Sequence, residues 1–194
     1  MARTVSLEDL FTEARSQRKF LDKPLAEGTF QTLYDLVKWG PTSMNCSPAR
    51  FAFITSPEAR AKLSGCASEG NRERILMAPV TVILAIDQHF YEQLTKLVPH
   101  NPKAADRFRN NPELAASTAF RNATLQGGYL ILAARALGLD CAPMSGFDAE
   151  AINNSFFAQG SWKANFICCL GYGDKSVLHP RAPRLAFDEA CVVL

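Results

Sequence analysis

The sequence predicts one α+β domain. Helical and extended patterns alternate irregularly, which argues against a regular βαβ series. The run PVTVILAID (79–87) is so continuously apolar and β-branched that it reads as a strand covered on both faces, central in its sheet. The stretch 113–137 reads as one long helix, apolar on more than one face and ended by Gly138. At 194 residues and 47% hydrophobic content the chain has the size of one ordinary domain with a core of its own.

The elements follow in order. Ser6-Leu-Glu-Asp9 has the form of a capping box and opens a first helix that runs into the arginine cluster ARSQRKF (14–20). In AEGTFQTLYDLVKW the apolar Phe30, Leu33, Tyr34 and Val37 recur at helical spacing, and that helix ends at Gly40-Pro41. The loop PTSMNCSP (41–48) carries more hydrogen-bonding capacity than a connector needs. FAFIT (51–55) reads as a strand, and Ser56-Pro57 as the N-cap and first turn of a helix toward Cys66. Residues 71–77 form a short helical turn ahead of the central strand. HFYEQLTKLV is a helix, and HNPKAADRFRNNPE (100–113), rich in proline and asparagine, reads as a lid or binding loop. LDCAP and NFICCLGYG are two more strands, separated by the short helix DAEAINNSFF. Inside the long helix Gly127-Gly128 costs about 1 kcal/mol per residue relative to alanine; either a helix, ligand or subunit approaches closely there, or the pair is simply tolerated.

Composition removes several function classes. A net charge of +2 with 21% charged residues offers no overall attraction to nucleic acid or to a membrane surface. The N-terminal stretch MARTVSLEDLFTEARSQ has no apolar signal region, and no apolar run nears the roughly 18 residues of a spanning helix, so the expected location is the cytoplasm. Six cysteines form no CxxC pair and have no histidine at ligand spacing, so they read as reduced thiols, mostly in the core, with no metal site. GYGDKS begins like a dinucleotide fingerprint but lacks the third glycine and the chain for further βα units. GxxxxGK[ST], HExxH and GxSxG are absent, and the three histidines are scattered.

What remains is a series of polar clusters: ARSQRKF, PTSMNCSP, NRER (71–74), PMSGFD (143–148) and HPRAPR (179–184). In this order and spacing the chain resembles the FMN-dependent nitroreductases, which carry an N-terminal Arg/Ser/Arg cluster, a PSSxNxQPW-like loop, an Asn with a basic residue three positions on, a P-[IM]-x-G-F segment and a C-terminal basic pair. Within the family the wording of KWGPTSxNCSPAR, AFRN, RALGLD and PMSGFD looks closest to the malonic semialdehyde reductases of pyrimidine utilisation. The resemblance implies a nitroreductase-like fold, with a central mixed, mainly antiparallel sheet flanked by helices, in an intertwined homodimer.

It also implies roles. A flavin mononucleotide needs its phosphate neutralised, its pyrimidine edge hydrogen-bonded and one ring face left open. Arg15, Arg18, Arg181 and Arg184 correspond to phosphate-binding positions, where guanidinium forks match phosphate oxygens. Ser16 falls on the family's serine, Asn71 and Arg74 on the pair facing the pyrimidine ring and ribityl chain; helix capping is their plainer reading. In PMSGFD, Pro143 and Met144 would border the ring, and the N–H groups of Ser145 and Gly146 would point at it, Gly146 permitting the close approach. The same turn also suits Asp148 as an N-cap. Pro41, Thr42, Ser43 and Asn45 would reach across the dimer to the other subunit's flavin. Ala14 stands where many relatives have arginine, and Ser47 and Ala49 replace the common Gln and Trp.

The implied activity is ping-pong hydride transfer from NAD(P)H through flavin N5, with no side chain compelled to act as general acid and no metal. If the acceptor is malonic semialdehyde, reduced to 3-hydroxypropionate, its carboxylate wants a cation, for which Arg50, Arg107, Arg109 and Arg121 are the candidates. A general nitro-compound or quinone reductase, and a flavin-binding protein without turnover, are the competing readings.

Overall fold

The structure, a computed structural model, describes residues 5–194. Four antiparallel strands form the sheet: β1 (Ala49–Ile54), β2 (Val80–Asp87), β3 (Asp140–Met144) and β4 (Trp162–Gly171), in the order β1-β2-β4-β3. As its composition requires, β2 is internal, paired on both sides and buried along nearly its whole length. The strand pairs are all antiparallel; among the described residues the one parallel contact is the single bridge Ser16↔Cys141 outside the named strands.

Alternate residues of β2 serve opposite faces of the sheet. Val80 and Val82 pack with Cys168 and Leu170 of β4 against α2 (Thr29–Val37) and α7 (Pro112–Ala136) through Leu33, Val37, Leu130 and Ala134. Ile83 and Ala85 pack with Ile167 and Cys169 against α3 (Pro57–Cys66), α4 (Glu69–Met77) and α8 (Ala149–Phe156) through Leu63, Ile75 and Ile152. A satellite core lies beyond the sheet, where Phe90, Leu94, Val98, Ala104 and Phe108 gather with Ala115 and Ala119 of α7, and Cys46 of the 41–48 loop is buried among them.

Helix α7 meets the sheet at Gly127. A Cβ there would lie 2.5 Å from the Phe166 ring and 2.8 Å from Leu84 Cδ1, so any other residue would force these side chains or the helix to shift. Gly128, on the outer face, would meet nothing within 4 Å. The expected close contact therefore belongs to one glycine of the pair and is made by strands. Gly138, at φ +77°, closes the helix by donating to Arg135 O.

Some expectations are corrected. The capping box forms, with Asp9 N–H donating to Ser6 Oγ at 3.2 Å and Ser6 N–H to Asp9 Oδ2 at 3.1 Å, yet α1 covers only Leu7–Leu10. It buries no residue, and capping alone cannot sustain a helix without packing. Residues 16–20 lie instead beside β3 and β4, through the Ser16↔Cys141 bridge, Gln17 N–H to Cys141 O at 2.9 Å, and the Phe20↔Gly173 bridge. The stretch 90–97 is a 3₁₀ turn (Phe90–Gln93) followed by α5 (Leu94–Leu97) rather than one helix. The segment 100–113 is not a plain loop: it contains α6 (Ala104–Arg109), because Ala104, Ala105 and Phe108 share a buried helical face that the flanking prolines obscured in the sequence. The turn expected at 71–77 is a full helix that starts at Glu69. The chain ends beyond a last one-turn helix, α9 (Phe187–Ala190), with Val192, Val193 and Leu194 exposed.

Cys46, Cys141, Cys168 and Cys169 are buried, Cys66 is half-buried and Cys191 exposed, all as free thiols. Burial pushes the Cys46 and Cys169 thiols up to about 11, against the opposing hydrogen bonds from Thr42 and Thr81. Cys168 is raised too, first by its hydrogen bond with Cys141 and then by burial.

Gly127→Ala is expected to lower the unfolding free energy by about 1–3 kcal/mol in urea titration, through overpacking, whereas Gly128→Ala, on the open outer face, is expected to raise it by up to about 1 kcal/mol through helix propensity. Between about pH 9 and pH 11 the unfolded chain loses thiol protons that the folded chain keeps at Cys46 and Cys169. Stability is therefore expected to fall as pH rises through that window, read as a declining urea midpoint.

Candidate active site

Three of the predicted clusters meet at the outer edge of β3. The strand ends in Pro143-Met144 and turns at Ser145-Gly146, where Met144 is buried in the core while Pro143 and Ser145 stay exposed. The turn is fastened to the start of α4: Gly146 O accepts from Asn71 Nδ2 at 2.9 Å and from Ser68 N–H at 3.0 Å. A Cβ on Gly146 would lie 2.8 Å from Asn71 Nδ2, so a larger residue would force the Asn71 side chain to shift from this contact. Asp148 does cap α8, accepting from Ala151 N–H at 3.0 Å. That cap and an exposed donor turn coexist. The Ser145 and Gly146 N–H groups donate to no other described residue.

Ser16 and Arg18, both exposed, flank the same edge, held there by the bridge to Cys141 and by the Lys19–Glu73 ion pair at 3.5 Å. Arg74 reaches Asn71 Oδ1 at 3.5 Å, and its buried Nε has no hydrogen-bond partner. A buried, unpaired guanidinium nitrogen is costly, and Arg60 Nε and Gln17 Oε1 share that condition elsewhere in the chain. Ser16, Arg18, Asn71, Arg74 and the two free N–H groups thus form one strip of donors beside an exposed edge, bordered by the apolar Pro143. Among the described residues no three His, Cys, Asp or Glu side chains gather to hold a metal ion.

The remaining predicted phosphate ligands are placed differently. Arg15 donates to His179 O at 2.5 Å, while Arg181 donates to Thr12 O and, at 3.3 Å, to Ala14 O. The two arginines clasp the N-terminal segment to the C-terminal one. They line a cavity of about 370 Å³ with Gln17, Arg135, Asp140 and Lys175, whose lining includes neither Ser16, Asn71 nor Pro143. Arg184 is exposed and bonded to the carbonyls of Ala182 and Pro183.

The 41–48 loop lies at the far side of the sheet. It leads into β1, whereas the donor strip borders β3, and with β2 and β4 between them the two edge strands stand about 14 Å apart. One chain therefore does not bring the loop and the strip together. The loop itself is strained: Met44, Asn45 and Ser47 have φ of 53°, 52° and 38°, a left-handed region that costs non-glycine residues roughly 1–3 kcal/mol each, asparagine least. Pro41, Ser43 and Asn45 are exposed and Thr42 half-buried. Thr42 Oγ1 accepts from Ser47 N–H at 3.1 Å, and Asn45 Nδ2 donates to Leu97 O at 3.0 Å.

Sequence reasoning overlooked the groups that hold this loop. Asn122 and Gln126 are buried on α7, and their side-chain oxygens accept from Ser43 N–H at 2.7 Å and Ala49 N–H at 3.0 Å. The available signal was two amides at i, i+4 on a helix face otherwise alanine-rich. Arg50 is tied up: Nη2 pairs with Asp87 Oδ2 at 2.6 Å, and Nη1 donates to Ser47 O and Ala49 O. Arg109 pairs with Asp106 at 2.6 Å, leaving Arg107 and Arg121 as exposed arginines without such a partner among the described residues.

A sheet with a donor strip at one edge and an ordered polar loop at the other makes an α+β scaffold with groups for a polar ligand, and comparison with known proteins gives its class. The model of the nitroreductase family matches residues 12–172, and the chain belongs to that family. It is 54% identical over 192 residues, 97% of this chain and 96% of the other, to a protein of Ralstonia nicotianae named as a candidate NADH dehydrogenase/NAD(P)H nitroreductase. The similarly named HadB of Ralstonia pickettii is 50% identical over the full length of both chains. The fold is shared with a nitroreductase-like protein of Exiguobacterium sibiricum solved in complex with FMN, at TM-score 0.87, 17% identity and 98% coverage of each chain.

Arg181→Ala is expected to loosen the clasp, so that limited proteolysis cuts the segment 178–194 faster, while weakening anion binding less than Arg18→Gln does. Inorganic phosphate protection against thermal unfolding, compared across the two variants, measures the second effect.

Proposed function

We propose that the protein is an FMN-dependent NAD(P)H oxidoreductase that works as a homodimer. The observation that carries this reading is the division of the predicted site between opposite edges of one sheet: a strip of donors at β3 and a strained loop at β1. A two-fold pair of chains can set the loop of one against the strip of the other. Exposed apolar groups support the pairing, with Trp39 80% exposed, Phe120, Leu125 and Tyr129 along the outer face of α7, and Val192, Val193 and Leu194 in the tail.

The donor set fits the cofactor. Arg18 and Ser16 would hold the phosphate, Asn71 and Arg74 the polar ring edge, and the Ser145 and Gly146 N–H groups would stabilise charge that develops on the ring. Arg74 Nε, buried and unpaired, would gain its acceptor. Pro143 would cover part of one ring face without adding a donor. Bound FMN would supply hydride chemistry at N5, taking reducing equivalents from NAD(P)H and passing them to an acceptor in turn. The names of the Ralstonia relatives and the FMN of the Exiguobacterium structure support both cofactors.

For the acceptor we favour malonic semialdehyde. The wording of the loop and of PMSGFD supports it, as do Ser47 and Ala49, small where relatives carry Gln and Trp. With Arg50 and Arg109 already paired, Arg107 and Arg121 are the arginines best able to meet its carboxylate. A nitro-compound or quinone reductase is the second reading, favoured by the names of the relatives.

Purified protein is expected to be yellow and to bleach anaerobically with NADH or NADPH. kcat/KM for a three-carbon semialdehyde is expected to exceed that for a nitroaromatic, and Arg107→Gln or Arg121→Gln to raise KM for the semialdehyde about tenfold. A colourless protein that takes up no FMN refutes the reading. Flavin that stays oxidised under both nucleotides leaves a binding protein without turnover.

A further inference from the structure

We infer that Arg50, Asn122 and Gln126 are positioning residues, which hold the 42–47 loop in its strained form so that it can complete the flavin site of the neighbouring subunit. The inference rests on the two-chain reading above and adds the machinery behind the loop. Three non-glycine residues in the left-handed region within four positions do not persist unless their surroundings impose them. Each end of the strained stretch is gripped by a side chain from another element or from the base of β1.

At the entrance, Ser43 N–H donates to Asn122 Oδ1 at 2.7 Å, immediately before Met44 and Asn45 take positive φ. Asn122 cannot rotate freely, because its Nδ2 is spent on Thr118 O at 2.8 Å. At the exit, Arg50 Nη1 draws in Ser47 O at 3.0 Å and Ala49 O at 2.9 Å, just after the positive φ of Ser47. The Arg50 guanidinium is fixed in turn by Asp87 at 2.6 Å, whose other oxygen accepts from Ser161 Oγ at 2.6 Å and His89 N–H at 2.9 Å. Gln126 Oε1 takes Ala49 N–H at 3.0 Å, which pins the first residue of β1. Asn122 and Gln126 are 5% and 3% exposed, so their polarity serves no solvent and is spent on this loop.

The consequence is that Arg50 is no substrate anchor: both of its terminal nitrogens are already engaged, and a lysine could not make the same fork. Meanwhile the Ser43 side chain stays exposed, and Asn45, its Nδ2 bonded to Leu97 O, remains exposed as a residue.

The test uses mixed dimers. One chain carries Arg18→Gln with Asn71→Ala, which damages its own donor strip; the other carries Asn122→Leu, or Arg50→Gln, which damages only loop presentation. Each variant homodimer is expected to lose at least tenfold in FMN affinity. The doubly tagged heterodimer is expected to regain one wild-type site per dimer, because the intact strip of one chain meets the intact loop of the other. Asn122→Asp, which keeps the acceptor for Ser43 N–H, is expected to restore most of the affinity. Heterodimers that regain no site, or loop-side variants that bind FMN as wild type does, overturn the inference while leaving the flavin reading standing. Wild-type protein that binds no FMN overturns both. Should Asn122→Leu fail to fold, Arg50→Gln decides the outcome by the same measurement.

Discussion

Helix α7 presents no side chain of its own to the sheet at Gly127, where its backbone meets the Phe166 and Leu84 side chains, and the anchoring of the 42–49 segment depends on this helix. With the helix backbone pressed to Phe166 and Leu84, its N-terminal half projects past the sheet and becomes a wall of the satellite core. The same placement carries Asn122 and Gln126 to the backbone of the 42–49 segment. A methyl group at position 127 would force the Phe166 ring, Leu84 or the helix that carries both amides to shift. The glycine is thus a packing residue whose effect is felt at the site.

The sheet itself sets the second constraint. Four antiparallel strands have two edges, and the chain puts chemistry on each: donors beside β3, a polar loop ahead of β1. Backbone groups at a β-edge and at a tight turn are open to a ligand, whereas those of β2 and β4 are consumed by pairing. That is why the Ser145 and Gly146 N–H groups remain available at the end of β3 while nothing comparable exists in the interior of the sheet.

Charge is distributed by the same logic. Guanidinium groups that find backbone carbonyls or carboxylates are held in place, and those that do not keep free donors. Arg15 and Arg181 join the two ends of the chain, Arg50 braces a loop, and Arg109 pairs within its own helix. Arg18, with its side chain in solvent, and Arg74, with a buried nitrogen unpaired, are in the opposite condition. Six arginines that look alike in the sequence therefore separate into two kinds once their partners are known.

The sequence by itself determined the periodic elements: the buried strand 80–87, the long helix ended by Gly138, the Asp148 cap, and the order of the polar motifs. These rest on spacing within a few residues, where apolar period and turn chemistry act directly. It misjudged α1 and the segment 100–113, where capping and proline signals were outweighed by burial or its absence. Only the tertiary structure decided that the donor strip and the loop lie at opposite edges, and which arginines are spoken for. The partner of Arg15 lies 164 positions away and that of Asn122 79 positions away. Such pairings are made by how the sheet and helices pack, a property that local periodicity does not encode.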